Sequence, residues 1–417
     1  MNETRRVTGH ILLCNNSKDD LTVSVGDVSL VPGCLTIQGS EITDLDLSGI
    51  DPAADEGGPD FLICSGFIDT HLHLPQFDMI GAHGMPLLEW LQRVTFPAER
   101  RWESTDFARA MTDRVIDQCF AVGTTTICAY ATVHADSARA ALEVANDRGV
   151  SGVIGHVLMN CEAPDDFVTP INQQIDRSAE LLDRFPSEGR MAAAVTPRFA
   201  VSCSAELLEQ AGKLATERNC VVQTHLAETV NECQLVSRLF GGCSYVQVYD
   251  DAGLLTPRSV FGHGIHLDVS ECERLASAGS TIAHCPTANS FLMSGTMNRA
   301  QLLNRSVPLS LGSDIGAGYE RSMVRVARSM IESASRIGEK FPTASRAWWQ
   351  ITHGNASVLG WPAGDRLQPG RPADLLLIQP DIPWLEADVD PLSNLLFAWD
   401  DRWLKRTIVQ GKVVFEA

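Results

Sequence analysis

Asp69-Thr70-His71-Leu72-His73 places two imidazoles two residues apart at the end of an apolar run, FLICSGFIDTHLH (61–73). Alternation along a strand sends residues i and i+2 to the same side, so His71 and His73 point together, as two ligands of one metal must. Three more apolar runs end on related groups: Thr224-His225-Leu226-Ala227-Glu228, the GHGIH segment with His263, and Ser313-Asp314. Three imidazoles and a carboxylate from this set make a nitrogen and oxygen site suited to Zn2+, with Fe2+ as the alternative. Such an ion lowers the pKa of bound water to about 7, which supplies a nucleophile at neutral pH. The nucleophile needs a proton acceptor that later donates, and Glu228, three residues after His225, is placed for that. His263 is left to polarise the attacked centre or to bind the hydroxide. Asp314 is left to coordinate the ion and to hydrogen-bond the attacking water.

Each group has a plainer reading when taken alone. An H-x-H pair in a strand is weak, an Asp after an apolar run is commonly a helix N-cap, and Glu228 would suit a helix start. Their joint occurrence at the ends of separate runs carries the metal reading. The remaining histidines are read as structural. His10 and His353 lie away from run ends, and His83 belongs to loop surface or pocket wall. His134 and His156 suit hydrogen-bonded core positions, His266 is less well placed than His263, and His284 is read as core rather than as a ligand's support.

Elements that could carry these groups recur with a regular rhythm. Short apolar runs at 61–73, 123–131, 152–159, 191–202, 220–228, 259–267, 280–289 and 307–316 alternate with stretches of helical period. In 321–337, Met323, Val326, Ala327, Met330, Ile331, Ala334 and Ile337 form one stripe, and Gly338 follows as a stop. Asp268 with Glu271 reads as a capping box. Near-continuous apolar strands fit a parallel sheet covered by helices. The expected architecture is α/β, a (β/α)8 TIM-like barrel over 66–363, with chemistry at the C-terminal strand ends. HILLC and LTVSVGDVSLVPGCLTI near the start, and GDRLQPGRPADLLLI and TIVQGKVVFEA near the end, are rich in β formers. A small β-sandwich domain is therefore expected from both chain ends, 1–65 with 364–417.

The 417 residues suffice for such a barrel and a satellite, and 44% hydrophobic with 20% charged residues suits a soluble globular enzyme. A net charge of −19 without a basic stripe argues against nucleic acid or an anionic membrane as partner. No apolar run of about 18 residues suggests a membrane span, and the N-terminus does not read as a secretory signal. Twelve scattered cysteines without C-x-x-C spacing suit reduced thiols, so a cytoplasmic setting is expected.

The motifs are more selective than the spacing. SGFIDTHLHLPQ, PLLEWLQRVTFPAE (86–99), TPRFAVSCS (196–204), THLAET (224–229), IAHCPTANSFLMSG (282–295), GSDIGAGYERSM (312–323) and GRPADLLLI together span nearly the whole chain. They resemble the single-metal aminohydrolases of the amidohydrolase superfamily, and within them the guanine deaminase family. The resemblance implies His71, His73, His225 and Asp314 as metal ligands, Glu228 as proton shuttle and His263 as catalytic partner beside Asp314. It implies that Gln76, Arg198 and Phe199 grip a purine. Physically, Arg198 offers fixed donors, Gln76 both a donor and an acceptor, and Phe199 a flat stacking face, although an ion pair and a core position are their plainer roles. The implied reaction is hydrolytic deamination of guanine to xanthine and ammonia by a zinc-activated water; the alternative is another aminopurine or a pterin. A homodimer is implied as well. Two-metal relatives bridge their ions with a lysine between the first and fifth strands; no lysine occurs between Lys18 and Lys213, so one zinc per chain is expected. Two features depart from the pattern: His156, and FDMIGAHGM (77–85), which is expected to line or cover the pocket.

Overall fold

A computed structural model describes residues 4–14, 28–360, 366–386 and 388–417. The opening of LTVSVGDVSLVPGCLTI, at 21–27, lies outside the described residues, as do 364 and 365 at the expected domain boundary. The strands in chain order are β1 (Thr4–Cys14), β2 (Val28–Gln38), β3 (Glu41–Asp46), β4 (Glu56–Ser65) and β5 (Phe67–His73). Next come β6 (Thr124–Tyr130), β7 (Ser151–Leu158), β8 (Met191–Pro197), β9 (Val222–Leu226) and β10 (Ser259–His263). The series ends with β11 (Thr281–His284), β12 (Leu309–Leu311), β13 (Leu375–Ile378), β14 (Leu404–Val409) and β15 (Lys412–Glu416).

β5 to β12 pair in sequence order as an eight-stranded parallel sheet, with helices in the connections. The two edges are joined just past β12: the Asp314 N–H donates to the His71 carbonyl at 2.8 Å, and the His73 N–H donates to the Ile315 carbonyl at 2.7 Å. Both faces of these strands are covered, which is why they read as nearly unbroken apolar runs. Ile127, Ile154 and Val195 pack among the residues of the large helical core. Their neighbours Cys128, Val153 and Ala194 meet Ala192, Val260 and Ala283 in a separate cluster of small side chains, the filled barrel interior.

β1 to β4 and β13 to β15 form one seven-stranded mixed sheet, in the order β15-β14-β13-β4-β1-β2-β3, so both chain ends build it. Alternation divides its side chains cleanly. Val7, Ile11, Leu35, Ile37, Ile42, Ile63, Leu375, Leu377 and Ile408, from six strands, share one cluster, so the sheet folds over itself as a sandwich does. Leu12, Leu62, Cys64, Leu376 and Ile378 face the other way, onto the helices Met323–Arg336, Ala344–Trp349 and Pro391–Ala398.

Several boundaries differ from expectation. The run 61–73 is two strands, since β4 belongs to the small sheet and β5 to the barrel. The hand-over is Gly66, where a Cβ would collide with the Thr125 side chain. The eighth strand is only Leu309–Leu311, and Asp314 stands on the loop beyond it. The helix expected over 321–337 is Met323–Arg336; its stripe is buried, but Ile337 has left the helix and is 41% exposed. The Asp268–Glu271 capping box is present, and a second, Thr229–Glu232, opens the helix Val230–Leu239. No helix among the described residues is long and apolar enough to cross a membrane.

Candidate functional site

His71 and His73, from the end of β5, meet His225 from the end of β9 and Asp314 from the loop after β12. One donor atom from each of the four lies within 4.8 Å of every other. Asp314 Oδ1 is 3.3 Å from Nε2 of both His71 and His73, and His73 Nε2 is 3.1 Å from His225 Nε2. Asp314 is buried, which pushes its carboxyl up, and yet it is held well below the usual carboxylate range because its close contacts with the His71 and His73 rings and the nearby His263 outweigh burial. Burial depresses the pKa of all three histidines, His71 to about 4, so each is a neutral imidazole with a lone pair to give.

The backbone fixes which nitrogen carries it. His225 Nδ1 lies 2.6 Å from the Arg198 carbonyl; a carbonyl only accepts, so Nδ1 holds the proton and Nε2 faces the other ligands. His71 Nε2 is buried and has no hydrogen-bond partner among the described residues. That atom, with the chemistry of the four donors, fits a divalent metal.

Two glycines make room for the His71 ring. A Cβ at Gly262 would stand 2.5 Å from His71 Cε1, and one at Gly312 would stand 2.5 Å from His71 Cβ. Gly262→Ala is therefore expected to displace the ring and to weaken binding of a divalent metal by about 10–100-fold, the range typical when a ligand loses its support. Equilibrium dialysis of parent and variant measures this; equal affinities would mean that the ring has room to move.

Glu228 and His263 stand on the rim of the quartet. His263 Nε2 lies 3.5 Å from Glu228 Oε2 and 3.7 Å from Asp314 Oδ2. Burial lifts the Glu228 carboxyl to a pKa of about 7, with Asp314 and Glu232 adding to the rise and His263 opposing it. Burial works against protonation of His263, but Glu228 and Asp314, with the bond to Asn289, together hold its pKa above the ordinary value. Non-glycine residues take left-handed backbone at Ala227 (φ 47°), His263 (φ 73°) and Asp314 (φ 51°), so the strand ends carrying these groups turn sharply at the barrel mouth.

A cleft of about 370 Å³ opens beside them, lined by Gln76, Arg198, Phe199, Leu87, Trp90 and Leu292 as well as by the polar groups. All the residues expected at the site thus line one cleft, except His71, which lies behind it as part of the quartet. The 77–85 segment contributes none of the lining; it is tied to the lining residue Trp90, whose indole donates to the Ala82 carbonyl at 2.9 Å. His156 is satisfied in the core by Ser178 Oγ at 2.8 Å and the Val133 carbonyl at 3.0 Å. His284 is buried on β11 and is not one of the quartet.

Three residues escaped the reading of the sequence. Asn289 Oδ1 meets His263 Nδ1 at 2.8 Å, and the Ser294 hydroxyl donates to Glu228 Oε1 at 2.8 Å. Glu99 is buried and binds both Gln76 and Arg198. Its only sequence signal was ambiguous, because a Glu behind Phe96-Pro97 reads as an ordinary first-turn carboxylate.

A family model described as "Amidohydrolase family" matches residues 62–414. Guanine deaminase of Escherichia coli (strain K12) is 36% identical over 367 residues, which is 85% of this chain and 83% of the relative. Guanine deaminase of Homo sapiens is 32% identical over 374 residues, 84% of this chain and 82% of its own length. Among solved structures, E. coli guanine deaminase superposes with a TM-score of 0.91 at 31% identity, covering 100% of both chains. Guanine deaminase from C. acetobutylicum, with guanine bound in its active site, gives 0.89 at 26% identity over 99% of this chain and 100% of the other.

Proposed function

We propose, from the premise that this chain belongs to the amidohydrolase family, that it converts guanine and water to xanthine and ammonia. The observation that carries the reading is the metal-type quartet, with donor atoms within 4.8 Å of one another, set beside a carboxyl whose pKa is near 7. The relatives named above favour guanine over another aminopurine or a pterin.

His71, His73, His225 and Asp314 would hold one zinc ion, which three imidazoles and a carboxylate suit. Bound there, zinc supplies Lewis-acid polarisation and makes water nucleophilic near neutral pH. Glu228 takes the proton of the attacking water on Oε2, passes it to a ring nitrogen and then serves the leaving amine. A carboxyl with a pKa near the working pH can both accept and donate. As the C2–O bond forms and the C2–N bond breaks, His263, whose pKa its carboxylate neighbours hold above the ordinary value, holds the oxygen side by hydrogen bond. Asn289 keeps His263 turned so that Nε2 faces the reaction. Phe199 stacks on the flat ring, and Gln76 and Arg198 hold its polar edge.

The division into 1–65 with 364–417 and 66–363 is proposed on the same footing, as are a homodimer and a cytoplasmic setting. The last is supported by twelve cysteines none of which is in a disulfide. The reaction is tested by ammonia release from purified, zinc-loaded protein offered guanine, other aminopurines and pterins. Guanine is expected to give the highest kcat/KM; a higher value with a pterin would overturn the reading.

A further inference from the structure

We propose that Glu99 is a positioning residue that fixes which way the hydrogen-bonding groups of Gln76 and Arg198 face, making the cleft a reader of a lactam edge, an N–H beside a C=O. This rests on the cleft being a purine site.

Glu99 lies on the short helix Phe96–Arg100 and is 1% exposed. Its Oε1 accepts from Gln76 Nε2 at 3.1 Å and from Arg198 Nη1 at 2.9 Å, and its Oε2 accepts from the same Nη1 at 2.7 Å. An ionised carboxyl offers acceptors only. The Gln76 amide must therefore turn its NH2 toward Glu99, which leaves its Oε1 as an acceptor for the cleft. Arg198 spends Nη1 on Glu99, and among the described residues no acceptor takes Nη2 or Nε, which remain as donors. The Phe96 ring, 5.5 Å from the guanidinium carbon, helps to hold that plane in place.

One acceptor and one donor are thus pinned side by side to a single carboxylate. Their complement is a ligand edge with a donor next to an acceptor. The N1–H and C6=O of guanine form such an edge. The amidine edge of 2,6-diaminopurine reverses both groups, setting acceptor against acceptor and donor against donor. Glu99 also neutralises Arg198, so the cleft suits an uncharged ring. In a buried site, polar groups left unpaired by the wrong ligand are what make discrimination large.

Glu99→Gln tests this, because the new amide no longer dictates how Gln76 turns. The readouts are metal content, kcat and KM for guanine, and turnover or competitive inhibition by 2,6-diaminopurine. Metal content should be unchanged, KM for guanine should rise more than kcat falls, and the preference for guanine over 2,6-diaminopurine should shrink at least about tenfold. Equal losses with both purines, or no loss, would overturn the proposal, since a merely structural carboxylate would not move the ratio. Should Glu99→Gln fail to fold, Gln76→Met leaves the Glu99–Arg198 pair intact and removes the acceptor. The same narrowing is then expected, and an unchanged ratio overturns the proposal. Parent protein that releases no ammonia from guanine would instead refute the reaction assigned above.

Discussion

Glu228→Gln is expected to bind metal as the parent does and to deaminate guanine about 10²–10⁴-fold more slowly, the usual worth of positioned proton transfer. The substitution keeps the shape and the hydrogen bond from Ser294, and it removes only the exchangeable proton. Metal analysis with steady-state kinetics checks the outcome. An unaltered kcat removes Glu228 from the reaction, and joint loss of metal and activity would make it a support for the ligands. Stability should move the other way. Burial lifts this carboxyl from 4.5 to about 7, so between those values the folded chain binds more protons than the unfolded one. Folding stability therefore declines as pH rises through that window, and a glutamine escapes the decline. Metal-free Glu228→Gln should melt above the metal-free parent at pH 8, and the two melting temperatures should converge as pH falls toward 4.5.

His71→Ala is expected to abolish the metal site and the activity together. Losing a ligand's outer support typically costs about 10–100-fold, and losing a ligand itself should exceed that in both metal affinity and kcat/KM. The parent treated with a chelator should lose activity and recover it on adding zinc; the variant should not recover. Chelated parent should also melt earlier, since a ligand that binds only the folded chain stabilises it by about 4 kcal/mol at a free concentration of 1,000 times Kd. Full activity in protein shown to be free of transition metal would sink the metal reading.

The barrel and the quartet were legible because their signals are dense. Strands covered on both faces need unbroken apolar runs, and two histidines two residues apart must share a side of β5. What lies between elements was harder to read. Apolar pattern does not mark where a strand changes sheets, so 61–73 read as one strand, although Gly66 divides it. Asp314 read as a strand end, but it stands on a loop whose path is set by bonds to β5, which sequence does not display. Ser294 and Asn289 lie 66 and 26 positions from the groups they bind. No spacing rule connects partners so distant. Glu99 was hidden by a plausible local role at a helix start. The 77–85 segment, expected to line or cover the pocket, supplies none of its lining and is tied instead to the lining residue Trp90, whose indole donates to Ala82, a contact that no spacing rule announces.

The seven-stranded sheet has a consequence for synthesis of the chain. β4 leads through Gly66 directly into β5, and its neighbour on one side is β13, near the opposite end of the chain. A nascent polypeptide leaving the ribosome therefore carries β4 with an open edge while every barrel strand is being made. That edge is covered only after Leu375–Ile378 has emerged. The strand leading into the one that bears His71 and His73 is thus covered last on that edge, and premature termination before β13 would leave a templating edge beside the unfinished barrel.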